Sequence, residues 1–133
     1  MTNQVFVNLP VQDLGRTRTF FANVGFTFDA QFSDENALCI RLTENTFVLF
    51  LVEDFFQRFT TRGVSDTTRG SEMLLAVSVE SRAEVDETVE AALRSGATEA
   101  RQPQDYESMY GRSFEDLDGH IWEVIWMEGQ ETA

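Results

Sequence analysis

The pattern of this chain runs twice, and that repeat constrains its fold more than any other feature. In the first half, alternating apolar residues predict a strand at Val5–Val11, and Asp13 can cap a helix that continues to about Val24. Gly25 then ends the helix, because only glycine enters the left-handed region without a steric cost. Three further strands are predicted, at residues 26–32, 37–42 and 46–52.

The second half repeats this order. A strand is predicted at residues 73–79, Ser81 can cap a helix with Glu84 at the capping-box position, and Gly96 ends that helix. Three strands follow, at residues 98–101, 109–115 and 120–126, with a loop at residues 102–106. The sequence therefore predicts an α+β protein of two βαβββ modules.

Length and composition predict one domain made of both modules. With 133 residues, 42% of them hydrophobic, the chain can bury a substantial core but is short for two independent domains. We expect module 1 at about residues 3–54, a connector at about 55–71 and module 2 at about 72–128. Phe55, Phe56 and Phe59 begin the connector and predict a short helical turn, with a ligand lid as the alternative.

Charge and apolar content limit the partners and the compartment. A formal net charge of −13 would repel phosphate backbones and anionic lipid, so nucleic acid and membrane surfaces are not expected partners. No apolar run approaches the roughly 20 residues that span a bilayer, and no basic and apolar leader begins the chain, which favours a cytoplasmic protein. The single Cys39 is expected as a small buried residue in a strand.

Two segments and the repeated modules resemble the vicinal oxygen chelate superfamily, which includes glyoxalase I, extradiol dioxygenases and bleomycin-resistance proteins. The segments are residues 8–13 (NLPVQD) and 116–123 (DLDGHIWE). The resemblance covers nearly the whole chain and implies that each module curls its strands into a half-barrel. It also implies a metal held in a cup by side chains from four strands.

The implied metal-ligand positions are Phe6, Phe50, Leu74 and Glu123, and only Glu123 is a ligand type. A one-residue shift would place other Leu or Met residues there, none of them a ligand for a hard metal. The single His120, expected in a turn that faces solvent, excludes a two-histidine iron site within one chain. We therefore predict no firm cofactor, and Glu123 alone would hold Mg²⁺ or Mn²⁺ only weakly.

Strand parity predicts which side chains share a face. Trp122 and Trp126 must be buried, so Glu123 is expected on the opposite face as the chief polar or catalytic group. Arg112 has two interpretations: it points inward to Glu123 or a ligand carboxylate, or it forms a rim salt bridge to Glu115 or Asp116. The other predicted ligand-binding residues are Phe6, Asn8, Phe50, Leu74, Ser78 and Ile121.

Three functional classes follow. The first is a glyoxalase-related protein with a degenerate metal site that binds a small, partly apolar molecule in the cup. The second is a lyase or isomerase that uses Glu123 as a general base, and the third is a glyoxalase-like metal enzyme with a relocated site. Among enzymes, a lyase or isomerase is favoured over a dioxygenase. A homodimer is expected as well, because open half-barrels leave strand edges exposed.

Overall fold

A computed structural model describes residues 1–129 of the chain. The structure divides into two compact units, and the boundary falls between Asp66 and Thr67, inside the predicted connector. Each unit contains one mixed sheet with a long helix packed against it. Within residues 1–129, no helix has the length and apolar content needed to cross a membrane.

The first unit has a sheet of four strands in the order β1-β4-β3-β2. Its β1 and β4 are parallel, and its other neighbours are antiparallel. Two 3-10 turns, Ala30–Phe32 and Gln57–Phe59, accompany the main elements. These elements are β1 (Val5–Val11), α1 (Leu14–Val24), β2 (Thr27–Phe28), β3 (Ala37–Thr43), β4 (Thr46–Val52) and α2 (Glu53–Phe56).

The second unit repeats the arrangement with the order β5-β9-β8-β6, and a short additional strand, β7, pairs with β8. Here β5 and β9 are parallel and the other pairs are antiparallel. The elements are β5 (Leu74–Ser78), α3 (Arg82–Arg94), β6 (Thr98–Glu99), β7 (Gln104–Tyr106), β8 (Met109–Glu115) and β9 (Ile121–Met127). The two open sheets confirm the α+β class and the paired βαβββ modules.

Both long helices begin and end where the sequence predicts. The Asp13 carboxylate accepts a hydrogen bond from the Arg16 backbone N–H at 3.0 Å, and the Ser81 hydroxyl accepts one from Glu84 at 3.0 Å. Gly25, with φ 106°, ends α1 in the left-handed conformation that favours glycine. The repeat in the sequence therefore corresponds to a repeat of capped helices.

Buried aromatic residues hold each helix against its sheet. In the first unit, the Phe50 ring stacks on Phe21 of α1 with centroids 4.6 Å apart, and both rings are buried. In the second unit, Trp122 and Val124 of β9 are fully buried on the α3 side. The prediction that Phe50 lines the cup is wrong, because its side chain belongs to the core between α1 and β4.

Several predicted boundaries are corrected. The strand expected at residues 26–32 stops at Phe28, because the Asp29 carboxylate accepts a hydrogen bond from the Gln31 N–H at 2.9 Å and begins a 3-10 turn. The strand expected at 98–101 stops at Glu99. The loop expected at 102–106 instead contains β7, whose residues pair with β8.

Two further predictions in the first unit are confirmed. The phenylalanine cluster forms the predicted helical turn, with the Phe55 and Phe59 rings 5.3 Å apart. Cys39 is completely buried, and burial, followed by the nearby Asp29 charge, raises the pKa of its thiol to about 11. A thiol that stays protonated at neutral pH is a packing group and a poor nucleophile.

Candidate functional site

The turn before β9 positions the predicted polar group of the site. Asp116 is buried, and its carboxylate accepts hydrogen bonds from the N–H groups of Asp118 at 2.9 Å and His120 at 3.0 Å. Its second oxygen accepts a hydrogen bond from the Trp122 indole Nε1 at 3.0 Å. Burial raises the pKa of Asp116, and these donors together with His120 oppose that shift. Asp116 thereby fixes the residue that precedes Glu123.

A glycine at position 119 is required by the packing of the same turn. Gly119 has φ 85°, and the Thr67 hydroxyl donates a hydrogen bond to the Asp118 carbonyl at 2.7 Å. A Cβ atom added to Gly119 would lie 2.3 Å from the Thr67 hydroxyl oxygen, closer than atoms approach. The start of the second unit is therefore tied to the turn that leads into β9.

Glu123 lies on the face of the second sheet turned away from α3, which we call the open face. Its neighbours Trp122 and Val124 are buried on the other side, as strand parity predicts. Within the sheet, Glu123 is paired with Ala76 of β5 and Ser113 of β8. The buried Ser113 hydroxyl has no hydrogen-bond partner within residues 1–129.

An ion pair defines the polar part of the open face. The Nη2 atom of Arg101 lies 2.9 Å from Oε2 of Glu123 and 3.1 Å from Oε1 of Gln104. The Arg101 side chain is 51% exposed, whereas that of Glu123 is 17% exposed. The carboxylate is therefore partly withdrawn from solvent, and the guanidinium covers it from outside.

A small cavity of about 50 Å³ adjoins this ion pair. That volume admits a few water molecules or the end of a small ligand. A Cβ atom added to Gly111 would make ordinary contacts at 3.6 Å to Met109 and 3.7 Å to Ile125, so the missing side chain leaves space there. The lining residues are Arg101, Gln104, Met109, Gly111, Arg112, Glu123 and Ile125.

Arg112 does not take either of its predicted partners. Its guanidinium forms ion pairs with Asp86 at 3.0 Å, Glu90 at 2.9 Å and Glu99 at 3.3 Å, on the side of the sheet where α3 lies. Burial lowers the pKa of Arg112, but the hydrogen bonds to the three carboxylates outweigh burial and raise that pKa above its ordinary value. The expected pairing with Glu123, and the alternative with Glu115 or Asp116, are both wrong.

The register of the second sheet explains why Arg112 lies on the side of α3. Arg112 is paired with Val124, and Ser113 with Glu123, so Arg112 shares the buried face of Val124. Parity along one strand gives the relation between alternate residues but not the register against its neighbour. The sequence therefore grouped Arg112 with Tyr110 correctly, since both contact Asp86, but the inward interpretation of Arg112 put the pair on the wrong face.

The remaining predicted residues fall into two sets, one on each sheet. Leu74 and Ser78 are exposed on the open face of the second sheet, where their partners in β9 are Ile121 and Ile125. Phe6 and Asn8 lie on the first sheet, on the face turned away from α1. The Phe6 ring stacks on Phe47 at 5.0 Å, and the Asn8 amide donates to the Phe6 carbonyl at 3.4 Å.

Four residues near Glu123 were not predicted as site residues: Arg101, Gln104, Met109 and Gly111. Gly111 and Met109 could have been found, because they alternate with the buried-face residues Tyr110 and Arg112 along β8. Arg101 could not, because it follows the end of β6 and its direction does not obey strand parity.

Comparison with known proteins agrees with the fold. Residues 4–41 match the family model described as bleomycin resistance protein-like N-terminal. No curated protein sequence matches the chain. A solved structure of a hypothetical protein from S. aureus superposes with a TM-score of 0.80 and 25% sequence identity, over 95% of this chain and 94% of that chain.

A glyoxalase-related enzyme from Fulvimarina pelagi superposes with a TM-score of 0.78 at 21% identity, over 95% of this chain and 88% of that one. This chain has the vicinal oxygen chelate fold. The fosfomycin resistance protein FosX from Mesorhizobium loti has the same fold at 16% identity, with a TM-score of 0.63 over 95% of this chain and 90% of its own.

The side chains of this chain do not fit the metal that the resemblance implies. Phe6 and Leu74 have hydrocarbon side chains. The third implied ligand position, Phe50, is corrected by the register of the strands. Phe6 pairs with Phe47 as Leu74 pairs with Ile121, so Leu49 is the counterpart of Glu123 and is hydrocarbon too. Glu123 already binds the Arg101 cation. Within residues 1–129, no three His, Cys, Asp or Glu residues cluster so that they could hold an ion.

Proposed function

We propose that this protein binds a small, partly apolar molecule on the open face of the second sheet, with Glu123 as the chief polar group and with no bound metal. The observation that carries the proposal is the cavity beside the Arg101–Glu123 ion pair. Small-molecule sites in proteins typically combine apolar walls with a few convergent polar groups. Met109 and Ile125 supply such walls here, and Gln104 adds a third polar side chain.

The size of the cavity sets the kind of ligand. About 50 Å³ is well below the roughly 300 Å³ at which drug-sized pockets begin. The cavity therefore accepts the polar end of a ligand, and the rest of the molecule lies over neighbouring side chains. Met127 is paired with Met109, lies on the face of Ile125 and is 38% exposed, so apolar surface continues from the cavity edge.

The proposal is tested by screening small molecules against three variants. Glu123→Gln keeps the shape of the side chain and removes its charge, and Gly111→Ala adds a methyl group to the cavity without a steric clash. Glu115→Gln is the matched control, because Glu115 lies on the same face of β8 but does not line the cavity.

Ligands found by NMR with the unaltered protein should bind at least about tenfold more weakly to Glu123→Gln and Gly111→Ala, a loss of about 1.4 kcal/mol, and unchanged to Glu115→Gln. A screen without any ligand, or ligands that bind both cavity variants as well as the unaltered protein, would reject the proposed site. Native mass spectrometry of freshly purified protein would reveal a ligand that remains bound.

The degenerate metal site forms a separate part of the proposal. Transition-metal ions need imidazole, thiolate or carboxylate ligands, which Phe6, Leu49 and Leu74 do not provide. Elemental analysis of protein purified without chelator should give far less than one metal per chain. Nearly one zinc, nickel or iron per chain would reject this part.

We also propose a cytoplasmic homodimer. The strands β1 and β5 each lie at one edge of their sheets. Large apolar side chains are exposed on both, with Val5 at 47% and Leu74 at 56%. Exposed edges with apolar side chains are surfaces that a second copy can cover. Analytical ultracentrifugation at micromolar concentration should give a dimer, and a monomer would reject the assembly.

A further inference from the structure

We infer that the ligand's polar end is a neutral group with a hydrogen-bond acceptor beside a donor, such as a carboxamide or lactam, and that Arg101 and Glu123 recognise it together. This inference rests on the proposed function and names the chemical class that the site selects. Arg101 is thus a specificity-determining residue in addition to Glu123.

The Arg101–Glu123 ion pair has hydrogen-bonding groups that its own contacts do not use. Arginine only donates hydrogen bonds and an ionised carboxylate only accepts them. Arg101 uses Nη2 for both of its contacts, to Glu123 Oε2 and Gln104 Oε1, so those contacts do not use its Nη1 and Nε donors. The same ion pair leaves Oε1 of Glu123 outside the contact. Arg101 and Glu123 both line the cavity, so a donor side chain and an acceptor side chain lie next to each other there.

The two opposite charges of the ion pair disfavour a charged ligand. A ligand carboxylate that bound Arg101 would lie next to the Glu123 carboxylate, and a ligand ammonium that bound Glu123 would lie next to the Arg101 guanidinium. Each ion would meet a like charge as well as an opposite one, and such repulsion is how sites reject the wrong ligand. A carboxamide meets neither repulsion, because its oxygen accepts from Arg101 while its NH₂ donates to Glu123.

The exposure of Arg101 makes the inference testable with folded variants, and Glu123→Gln keeps the shape of the less exposed partner. Arg101 is 51% exposed, and ion pairs between exposed side chains contribute little to folding. Removing either charge should therefore alter the site without unfolding the protein. The two removals should shift the preference in opposite directions, which a general loss of structure could not do.

The experiment uses three probes of nearly equal size: butyramide, butyrate and butylammonium. Each is titrated at neutral pH and constant ionic strength into the full chain, and the backbone amide signals of Gly111 and Ile125 are followed by NMR. The proteins compared are the unaltered chain, Glu123→Gln, Arg101→Met and the control Glu115→Gln.

The unaltered protein and Glu115→Gln should bind butyramide at least about tenfold more tightly than either ion, a difference of about 1.4 kcal/mol. Relative to butyramide, butyrate should gain at least about tenfold in Glu123→Gln, since Arg101 then remains without its carboxylate. Butylammonium should gain similarly in Arg101→Met, since Glu123 then remains without its cation.

Equal binding of the three probes to the unaltered protein, or the same order of preference in both charge variants, would overturn the inference and leave the small-molecule site standing. Absence of any shift at Gly111 and Ile125 with all three probes would overturn the inference and the proposed site together.

Discussion

The two modules have the same order of elements, yet the faces of their sheets turned away from the long helices differ in chemistry. On the first sheet, Phe6 stacks on Phe47 at 5.0 Å, and the Phe32 ring meets the Phe6 ring at 5.1 Å. On the second sheet, the position equivalent to Leu49 is Glu123, paired with Arg101 beside a cavity. The fold thus repeats a backbone frame, and in the proposed function a few side chains decide which copy binds a polar ligand.

A second contrast lies within the second unit, between its two faces. Arg112 has a side chain only 9% exposed and is held by three carboxylates, so its charge is satisfied within the protein. Arg101 is largely exposed and meets one carboxylate at the edge of the cavity. Arg112 is therefore a structural residue even though it also borders the cavity, whereas the proposed function assigns ligand binding to Arg101.

The largest effect is expected from the aromatic core of the first unit. Phe50→Ala should lower the free energy of unfolding by about 3–5 kcal/mol, because the buried ring leaves a cavity against Phe21. Leu49→Ala, on the opposite face and partly exposed, should cost less than half as much. Urea unfolding would measure both losses of stability. A loss below about 1 kcal/mol in Phe50→Ala would contradict the burial of the Phe50 ring between α1 and β4.

The turn that positions Glu123 should give the next effect. Asp116→Ala removes the acceptor of the buried Trp122 indole, and an unsatisfied buried donor costs about 1–3 kcal/mol. The comparison in the first unit is Asp34→Ala, which removes a hydrogen bond to the exposed Asn36 N–H. Thermal unfolding should show the larger loss in Asp116→Ala, and equal losses would contradict the anchoring role.

The carboxylates around Arg112 predict that folding stability depends on pH, and the contribution of Asp86 should be about 1 kcal/mol or less. The Tyr110 hydroxyl, and next Arg112, lower the pKa of Asp86 below its ordinary value. A lowered carboxyl pKa contributes stability above the unfolded pKa of about 3.9, and that contribution is lost as the pH falls through the folded pKa. The half-exposed side chain limits its size.

Asp86→Asn should therefore be less stable than the unaltered protein at pH 7 and nearly equal to it at the lowest pH that keeps both folded. Asp116 acts in the opposite direction, because its pKa is raised by burial, but its contribution is common to both proteins and cancels in the difference. Urea unfolding at a series of pH values measures that difference. A difference that grows on acidification would contradict the ion pair with Arg112.

The smallest effect should come from the exposed arginine. Arg101→Met should change the free energy of unfolding by less than about 1 kcal/mol, since the Arg101 side chain is half exposed and ion pairs at the surface contribute little. Its effect should appear in ligand preference instead. An unfolding loss above about 2 kcal/mol would make Arg101 a structural residue like Arg112.

The sequence predicted the modules well because their signals are local. Caps at Asp13 and Ser81 and alternation along Val5–Val11 depend on residues close in the chain, and the structure agrees with them. The face of Glu123 was also predictable, because Trp122 next to it must be buried.

The errors concern relations between strands. Phe50 was expected on the open face because the family resemblance assigned a metal-ligand position to it. The register of β4 with β1 instead makes Leu49 the counterpart of Glu123. Both alternatives for Arg112 were wrong, because parity along β8 does not give its register against β9. Arg101 was missed because β6 ends two residues before it, and a side chain beyond a strand end has no periodic signal.

The most direct test of the central claim is a crystallographic screen in which crystals are soaked with small neutral and charged fragments. The account predicts that fragments bind in the cavity beside Arg101 and Glu123, with a polar atom near the ion pair and no metal ion within bonding distance of Glu123. Fragments that bind beside Phe6 and Phe47 instead, or a metal ion on Glu123, would contradict it.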